Sequence, residues 1–221
     1  MSAIILPSEP PSGASTPPSI TIRPRRPEDF PALCDLLERQ QPSSLYPIRW
    51  PLPMPVPQFI QRPGEAAAFV AECAGQILGH VAVRYGLGGP ADEEELTTRW
   101  AEAHGCEEKD VRVIAVLFTD PAWAGKGVGS GLFAVATKAA RAGGGRPCLD
   151  VVSTNTGPLQ FYKRRGWKIV GDWQAPWVPG MRIDVHLMIL PMEAANGSVA
   201  GTDSPALVPT GAQQPGTRQR A

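Results

Sequence analysis

The feature that most constrains this chain is one continuous run, Val-Leu-Phe-Thr-Asp-Pro-Ala-Trp-Ala-Gly-Lys-Gly-Val-Gly-Ser-Gly, at residues 116–131. It closes a β-branched apolar stretch over 111–118 that reads as a strand. Asp120-Pro121 breaks the strand, and glycine then recurs at 125, 127, 129 and 131. Val128, Leu132, Val135 and Ala139 follow at i, i+4, i+7 and i+11, the spacing of one buried helix face. Strand, glycine loop and helix in that order place free backbone N–H groups and the positive end of a helix dipole beside a backbone stripped of side chains. An anion suits such a place, and a pyrophosphate is its natural guest. The same glycines also suit a tight turn that merely permits close packing.

Two other anion loops do not fit. A P-loop needs Ser or Thr after Gly-Lys to hold magnesium, and here Gly127 follows Lys126. A dinucleotide fingerprint needs Gly-x-Gly-x-x-Gly, whereas these glycines alternate without the two-residue gap.

The rest of the chain supplies a sheet for this unit to join. Residues 20–24 alternate like an opening strand, and Pro27 then starts a helix with Leu33, Leu36 and Leu37 on one face. Seven prolines in 41–63 exclude a long helix and leave one short turn near 58–61. Residues 67–72 and 76–85 form a hairpin about Ala74-Gly75. A helix over 91–103, acidic at its start, stops at Gly105. After the glycine-loop helix come a strand over 148–152, a helix over 158–165 closed by Gly166, and a final antiparallel pair over 167–173 and 183–190. The expected fold is α/β: one domain over 19–192, with a mixed, mostly antiparallel sheet of six to seven strands flanked by helices. Residues 1–18 and 193–221, rich in Pro, Ser, Gly and Thr, carry too little apolar surface to order themselves and are expected to be disordered tails.

Composition narrows the function. The 221 residues carry 21 basic and 21 acidic side chains, so the chain lacks the charge footprint of a general nucleic-acid binder or of a protein that hugs anionic membrane. Cys34, Cys73, Cys106 and Cys148 form no Cys-x-x-Cys pair and read as reduced, mostly buried thiols. His104 with Cys106 is too thin a set for zinc, and no metal is expected. The start has no basic n-region, and no apolar stretch reaches the length of a membrane span. The expected compartment is the cytoplasm.

At this point the chain resembles the GCN5-related N-acetyltransferases. Their loop, Arg/Gln-x-x-Gly-x-Gly/Ala, is matched by Ala124-Gly125-Lys126-Gly127-Val128-Gly129 except at its first residue, and Asp120-Pro121-x-Trp123 is also family-like. A second signature follows in order: Leu149-Asp150-Val151-Val152-Ser153-Thr154-Asn155, then Phe161-Tyr162-Lys163-Arg164-Arg165-Gly166-Trp167. The resemblance spans roughly 20–190 and implies acetyl-CoA as cosubstrate. It implies that backbone groups of Leu117, Phe118 and Thr119 line the pantetheine arm, and that N–H groups of Gly125, Lys126, Gly127, Val128, Gly129 and Ser130 hold the pyrophosphate. Lys126 either adds a charge there or is solvated. Ala124 offers no side chain where the family carries Arg or Gln.

Acyl transfer to an amine needs a proton taken from the amine, a polarised thioester carbonyl and a protonated leaving thiol. The family position assigns the last task to Tyr162, seven residues after Asn155; a phenol with a pKa of about 10 still holds its proton at neutral pH. Tyr162 also reads as a packed aromatic beside Phe161. Asn155 is implied to bind the pantetheine arm and also suits a helix cap. Asp150, five residues before Asn155, interrupts an apolar strand and is the candidate base; a structural or rim carboxylate is the plainer reading. Glu72 is a second candidate, and His80, His104 and His186 have suitable intrinsic pKa values but read as structural. The polarising donor is expected among the N–H groups of 116–119.

For the acceptor, Tyr46 and Trp50 in the proline-rich stretch and Trp173 and Trp177 between the last two strands are expected to form an aromatic pocket, or simply to anchor their loops. The expected activity is N-acetylation of a small-molecule primary amine in a ternary complex, by a monomer or homodimer. A protein or peptide N-terminus as acceptor, suggested by the Asp150–Asn155 spacing, and a non-catalytic acyl-CoA-binding module are the alternatives. The two kinds of acceptor differ structurally: a peptide needs an open channel between the loops bearing Trp50 and Trp177, while a small molecule allows them to meet.

Overall fold

The computed structural model describes residues 19–87 and 91–192, with the backbone alone at 91–93. Both expected tails lie outside these residues. Seven strands form one sheet: β1 Thr21–Pro24, β2 Glu65–Cys73, β3 Gln76–Tyr85, β4 Val111–Thr119, β5 Arg146–Val152, β6 Lys168–Ala175 and β7 Ile183–Ile189. Their spatial order is β1-β2-β3-β4-β5-β7-β6. Every pairing is antiparallel except β4 with β5, which the connection through the glycine loop and its helix makes parallel.

Five helices cover the sheet: α1 Phe30–Ser44, α2 Val56–Ile60, α3 Ala91–His104, α4 Val128–Arg141 and α5 Thr156–Lys163. Leu33, Leu36 and Leu37 of α1 are fully buried against Val70, Ala82, Val116 and Phe118, together with Phe59 and Ile60 of α2. Leu96 and Trp100 of α3 pack on the same side, over Val113, Cys148, Val185 and Leu187. The opposite side carries α4, whose Val128, Leu132, Phe133, Ala136 and Ala140 cover Val81, Val83, Ile114, Leu149 and Met188.

Three sequence expectations shift. The buried face of α4 is centred on 128, 132, 136 and 140, with Val135 and Ala139 at its edge, because Phe133 draws the helix toward Phe161, Tyr162 and Trp167. Helix α1 continues through Pro42 to Ser44. A proline in the last turn forfeits only one backbone bond, and left-handed Leu45 (φ 56°) closes the helix by donating to the Gln41 carbonyl. Strand β6 extends to Ala175, so Trp173 sits within the strand rather than at its end.

Candidate active site

The site begins where the sheet opens. Pairing between β4 and β5 is confined to Val111–Arg146, Arg112–Pro147 and Val113–Cys148. Beyond Cys148 the strands part, and β4 keeps only β3 as its neighbour. A bulge sharpens the parting: His80 pairs with Phe118 and Ala82 with Ala115, so Val116 and Leu117 together oppose the single Val81. Side-chain directions record it. Ala115 and Val116, consecutive in sequence, both pack on the α1 side, while Leu117 packs on the α4 side. Val116 takes φ 54°, a left-handed conformation rare for a β-branched residue. Leu117 and Thr119 therefore carry main-chain groups along the open edge, while those of Phe118, between them, are turned to His80 of β3, so the expectation for Phe118 does not hold.

That edge leads into the glycine loop. Asp120 accepts from the Ala122 N–H at 3.0 Å and caps a 3-10 turn over Pro121–Trp123. Its other oxygen takes Arg39 at 3.2 Å. Three of the four glycines do two different jobs. Gly125 (φ 75°) and Gly127 (φ 86°) hold conformations that disfavour a side chain, and a Cβ on either would meet nothing within 4 Å. The space beside them is open. A Cβ on Gly131, by contrast, would lie 2.6 Å from Ile22 Cδ1, so this glycine brings α4 against β1. Gly127 is the N-cap of α4, and the first-turn N–H groups of Val128, Gly129 and Ser130 lack helical partners, as at any helix start. The cradle thus fits a pyrophosphate in both conformation and space.

Two cations flank the cradle. Lys126 Nζ lies 4.5 Å from the centroid of the Trp123 ring. Arg165, in the turn after α5, stacks 3.6 Å from the Phe161 centroid and donates to Ser130 Oγ at 2.9 Å. Arg165 stands in the second signature and was not singled out in the sequence. Only the tertiary contact between α4 and the end of α5 reveals that a guanidinium occupies the mouth of the loop that Ala124 leaves bare.

Tyr162 and Asp150 approach the gap from opposite faces. On β5, Leu149 and Val151 pack on the α4 side, and Cys148 and Val152 on the other, so Asp150 belongs to the α1 side. Tyr162 comes from α5 and packs on the α4 side against Phe133, 5.1 Å between ring centroids. Burial, then the nearby Tyr46 and Asp150, push its pKa above the ordinary phenol value. Tyr46 is the residue most displaced from expectation. It stacks edge-on to Phe59 at 6.0 Å and reaches the same centre, where burial raises its pKa to about 12. Arg62 and the Val116 main chain favour its phenolate and Asp150 opposes it, but desolvation outweighs them. Both residues are half-buried, and with raised pKa values both phenols keep their protons at neutral pH.

The aromatic pocket is therefore not one box. Trp173 and Trp177 meet edge-on at 6.1 Å, with Ile48 packed in the same cluster. Arg49, next to Trp50, donates to the Trp177 carbonyl at 3.3 Å, which joins the proline-rich stretch to the β6–β7 loop. Trp50 is partly buried within that stretch. Asn155 stands at the N-cap of α5, yet its exposed side chain makes no capping bond.

The other candidates fall elsewhere. Glu72 is bound by Arg23 at 2.6 Å on the β1–β2 side of the sheet. His104 faces the Pro147 carbonyl at 3.0 Å, and His186 pairs with Asp172. Among the described residues no group of three or more His, Cys, Asp or Glu side chains is placed to hold a metal, and no helix is long and apolar enough to cross a membrane.

A mixed sheet parted between a parallel pair of strands, with a glycine loop at the helix joining them, defines a class of acyl-transferring α/β enzymes. The sequence matches the acetyltransferase (GNAT) family over residues 30–167, and the chain belongs to that family of acetyltransferases. Among solved structures it is similar to the ribosomal-protein-S18-alanine N-acetyltransferase of Escherichia coli, at 16% identity and a TM-score of 0.55, over 80% of this chain and 98% of that one. A putative phosphinothricin N-acetyltransferase matches at 18% and 0.57, over 80% and 100%. A putative acetyltransferase from Salmonella typhimurium, solved with its cofactor acetyl-CoA, matches at 17% and 0.54, over 82% and 98%. Identities this low establish the shared fold alone. Among curated proteins, none matches the sequence.

Proposed function

We propose that this protein transfers the acetyl group of acetyl-CoA to the primary amine of a small molecule, by direct attack in a ternary complex. The observation that carries the choice of acceptor is the Arg49–Trp177 hydrogen bond, 3.3 Å long, which ties the two acceptor-side loops together. A peptide threading between those loops would have to break it.

Acetyl-CoA supplies the thioester. The N–H groups of Gly125, Gly127, Val128, Gly129 and Ser130 hold its pyrophosphate, with Lys126 and Arg165 as flanking charges; the expected Lys126 N–H is already given to the Trp123 carbonyl at 3.2 Å. Main-chain groups of Leu117 and Thr119 bind the pantetheine arm along the open edge of β4, and Asn155 binds it from α5. Asp150, on the α1 side of the gap, takes a proton from the ammonium and frees the nitrogen lone pair, which then forms the C–N bond. The C–S bond breaks, Tyr162, on the α4 side, gives its proton to the leaving sulfur, and the second proton shed by the acylated nitrogen restores the phenol. Tyr46 keeps its own proton and borders the amine beside Asp150, while Trp50, Trp173 and Trp177 wall the acceptor site. The raised pKa values of both phenols suit donors that must stay protonated at neutral pH.

The test is thiol release from acetyl-CoA with a panel of small amines and short peptides. Amine-dependent release that favours the small molecules is the expected result. Preference for peptides transfers the reading to protein N-termini, and tight acetyl-CoA binding with no release to any acceptor makes the protein a binding module. Asp150→Asn is expected to lower turnover about tenfold at neutral pH and less at high pH, where the amine arrives deprotonated. An equal loss at both pH values removes Asp150 as the base.

A further inference from the structure

His80 has no place in the chemistry above, yet it is fully buried at the bulge in β4. Its Nδ1 lies 3.0 Å from the Val116 carbonyl, and its Nε2 lies 3.0 Å from Arg25 Nη1. A guanidinium only donates, so Nε2 accepts, and the ring proton sits on Nδ1 and is donated to Val116. Arg25 is itself fixed by Glu65 at 2.6 Å and by the face of Phe30, 4.7 Å from the centroid. A chain of buried polar groups thus runs from Glu65 through Arg25 and His80 to one carbonyl. Buried polar groups in a row are costly unless each is satisfied, and the carbonyl at the end belongs to the strained residue of the bulge.

That carbonyl shares its peptide group with the N–H of Leu117. In a trans peptide the two point in opposite directions. The Val116 carbonyl turns toward β3, where His80 stands, so the Leu117 N–H turns toward the side that β5 has vacated. The bond that holds one holds the other.

We infer that Glu65, Arg25 and His80 form a positioning relay that fixes the Val116–Leu117 peptide and aims the Leu117 N–H into the gap between β4 and β5 as the donor to the thioester oxygen. His80 touches no reacting atom; it acts through the peptide. A preorganised donor of this kind is worth more in the transition state than in the ground state. Its misalignment should therefore lower kcat and leave cofactor affinity nearly intact.

The relay rests on the acetyl-transfer reading, and two measurements keep their failures apart. Turnover is compared in wild type, His80→Leu and His80→Asn, because the Asn amide can replace Nδ1–H as donor to Val116 whereas Leu cannot. The expected result is a loss of at least ~30-fold in kcat for His80→Leu, with KM for acetyl-CoA within about 3-fold, and recovery to within about 5-fold in His80→Asn. A kcat for His80→Leu within about 3-fold of wild type, or an equal loss in both variants, overturns the relay. Binding of acetyl-CoA and of S-ethyl-CoA, which lacks the carbonyl, is then compared by calorimetry and needs no acceptor. A wild-type preference for acetyl-CoA that disappears in His80→Leu supports the relay even if no acceptor turns over, and a preference unchanged by the variant overturns it. If His80→Leu does not fold, Glu65→Gln loosens Arg25 from the far end. It should lower kcat about 3- to 10-fold with KM unchanged, and an unchanged kcat overturns the relay.

Discussion

The two banks of the β4–β5 gap are built differently. On the α4 bank the groups proposed to bind are backbone, at glycines 125 and 127 and in the first turn of α4, with surface cations stacked on Trp123 and Phe161 beside them. On the α1 bank they are side chains drawn from distant parts of the chain: Tyr46 from the proline-rich stretch, His80 from β3, and Arg25 with Glu65 behind it. The first bank suits a ligand with repeated, generic charge. The second must aim single atoms, and it does so with buried polar groups whose cost is offset only while each keeps its partner. The α1 bank should thus be more sensitive to pH and to single substitutions, and the α4 bank to ionic strength.

The largest expected effect is on stability at acid pH. Burial, only partly opposed by the Val116 carbonyl, lowers the His80 pKa to about 3. A depressed folded-state pKa means that the unfolded chain takes up the proton first. The contribution of neutral His80 is therefore complete above pH ~6.5 and is lost as the pH falls toward 3. Unfolding in urea should show a decline of about 3 kcal/mol between pH 7 and pH 4 that His80→Asn largely lacks, at about 1.4 kcal/mol per pH unit below 6.5. Equal slopes in the two proteins would place the acid sensitivity in another group; Asp29, whose pKa Arg23 holds below the ordinary carboxylate value, loses its contribution only below this window.

Next in size is the proposed catalytic acid. Tyr162→Phe keeps the ring that packs on Phe133 and Trp167 and removes only the hydroxyl. A loss of about 100-fold in kcat, with thermal stability and KM for acetyl-CoA nearly unchanged, is expected from steady-state rates. A loss below about 3-fold would return Tyr162 to a packing role and leave Tyr46, the other phenol at the centre, as the acid.

The contrast between the banks also explains what the sequence disclosed. The glycine loop, α4 and the Asn155–Tyr162 segment are contiguous, and their geometry follows from local rules of turns and helix ends, so residues 111–166 could be placed from the string alone. The α1 bank is assembled across the chain. Nothing local distinguishes Tyr46 from its neighbour Trp50, and only the fold sends one to the reacting centre and leaves the other in the loop wall. His80, a lone histidine in an apolar strand, reads as structural until its proton is traced to the Val116 carbonyl. Glu72 is a parallel case: its place near the end of a hairpin strand says nothing of Arg23, on neighbouring β1, which binds it two strands from β4. The seven-stranded order with β7 between β5 and β6 was likewise beyond local pattern, although every strand was visible.

On the α4 bank a smaller effect is expected at Gly127. Its φ of 86° makes any side chain strained, although the space for a Cβ is open. Gly127→Ala should cost about tenfold in acetyl-CoA affinity, roughly 1–2 kcal/mol of backbone strain at the cradle, with kcat at saturation preserved. A lower kcat at unchanged affinity would mean that the loop also positions the thioester, and the separation of the two banks would weaken.

The smallest effect sharpens the comparison most. Ala124 gives the loop no charge of its own, and Arg165, held on Ser130 at 2.9 Å, stands at the mouth of the cradle from another segment. An exposed guanidinium facing phosphate acts through a screened field, so its contribution is modest and falls with salt. Arg165→Ala should raise KM for acetyl-CoA about 3- to 10-fold at low ionic strength and by less than about 2-fold at high salt, with kcat unmoved. Ala124→Arg, introduced into that variant, should recover most of the loss, because generic charge at the cradle can come from either segment. No such exchange is open to the α1 bank, where a donor must meet one carbonyl in one direction. If Ala124→Arg fails to rescue while Arg165→Lys succeeds, the α4 bank too depends on the placement of a single side chain, and the two banks differ only in depth.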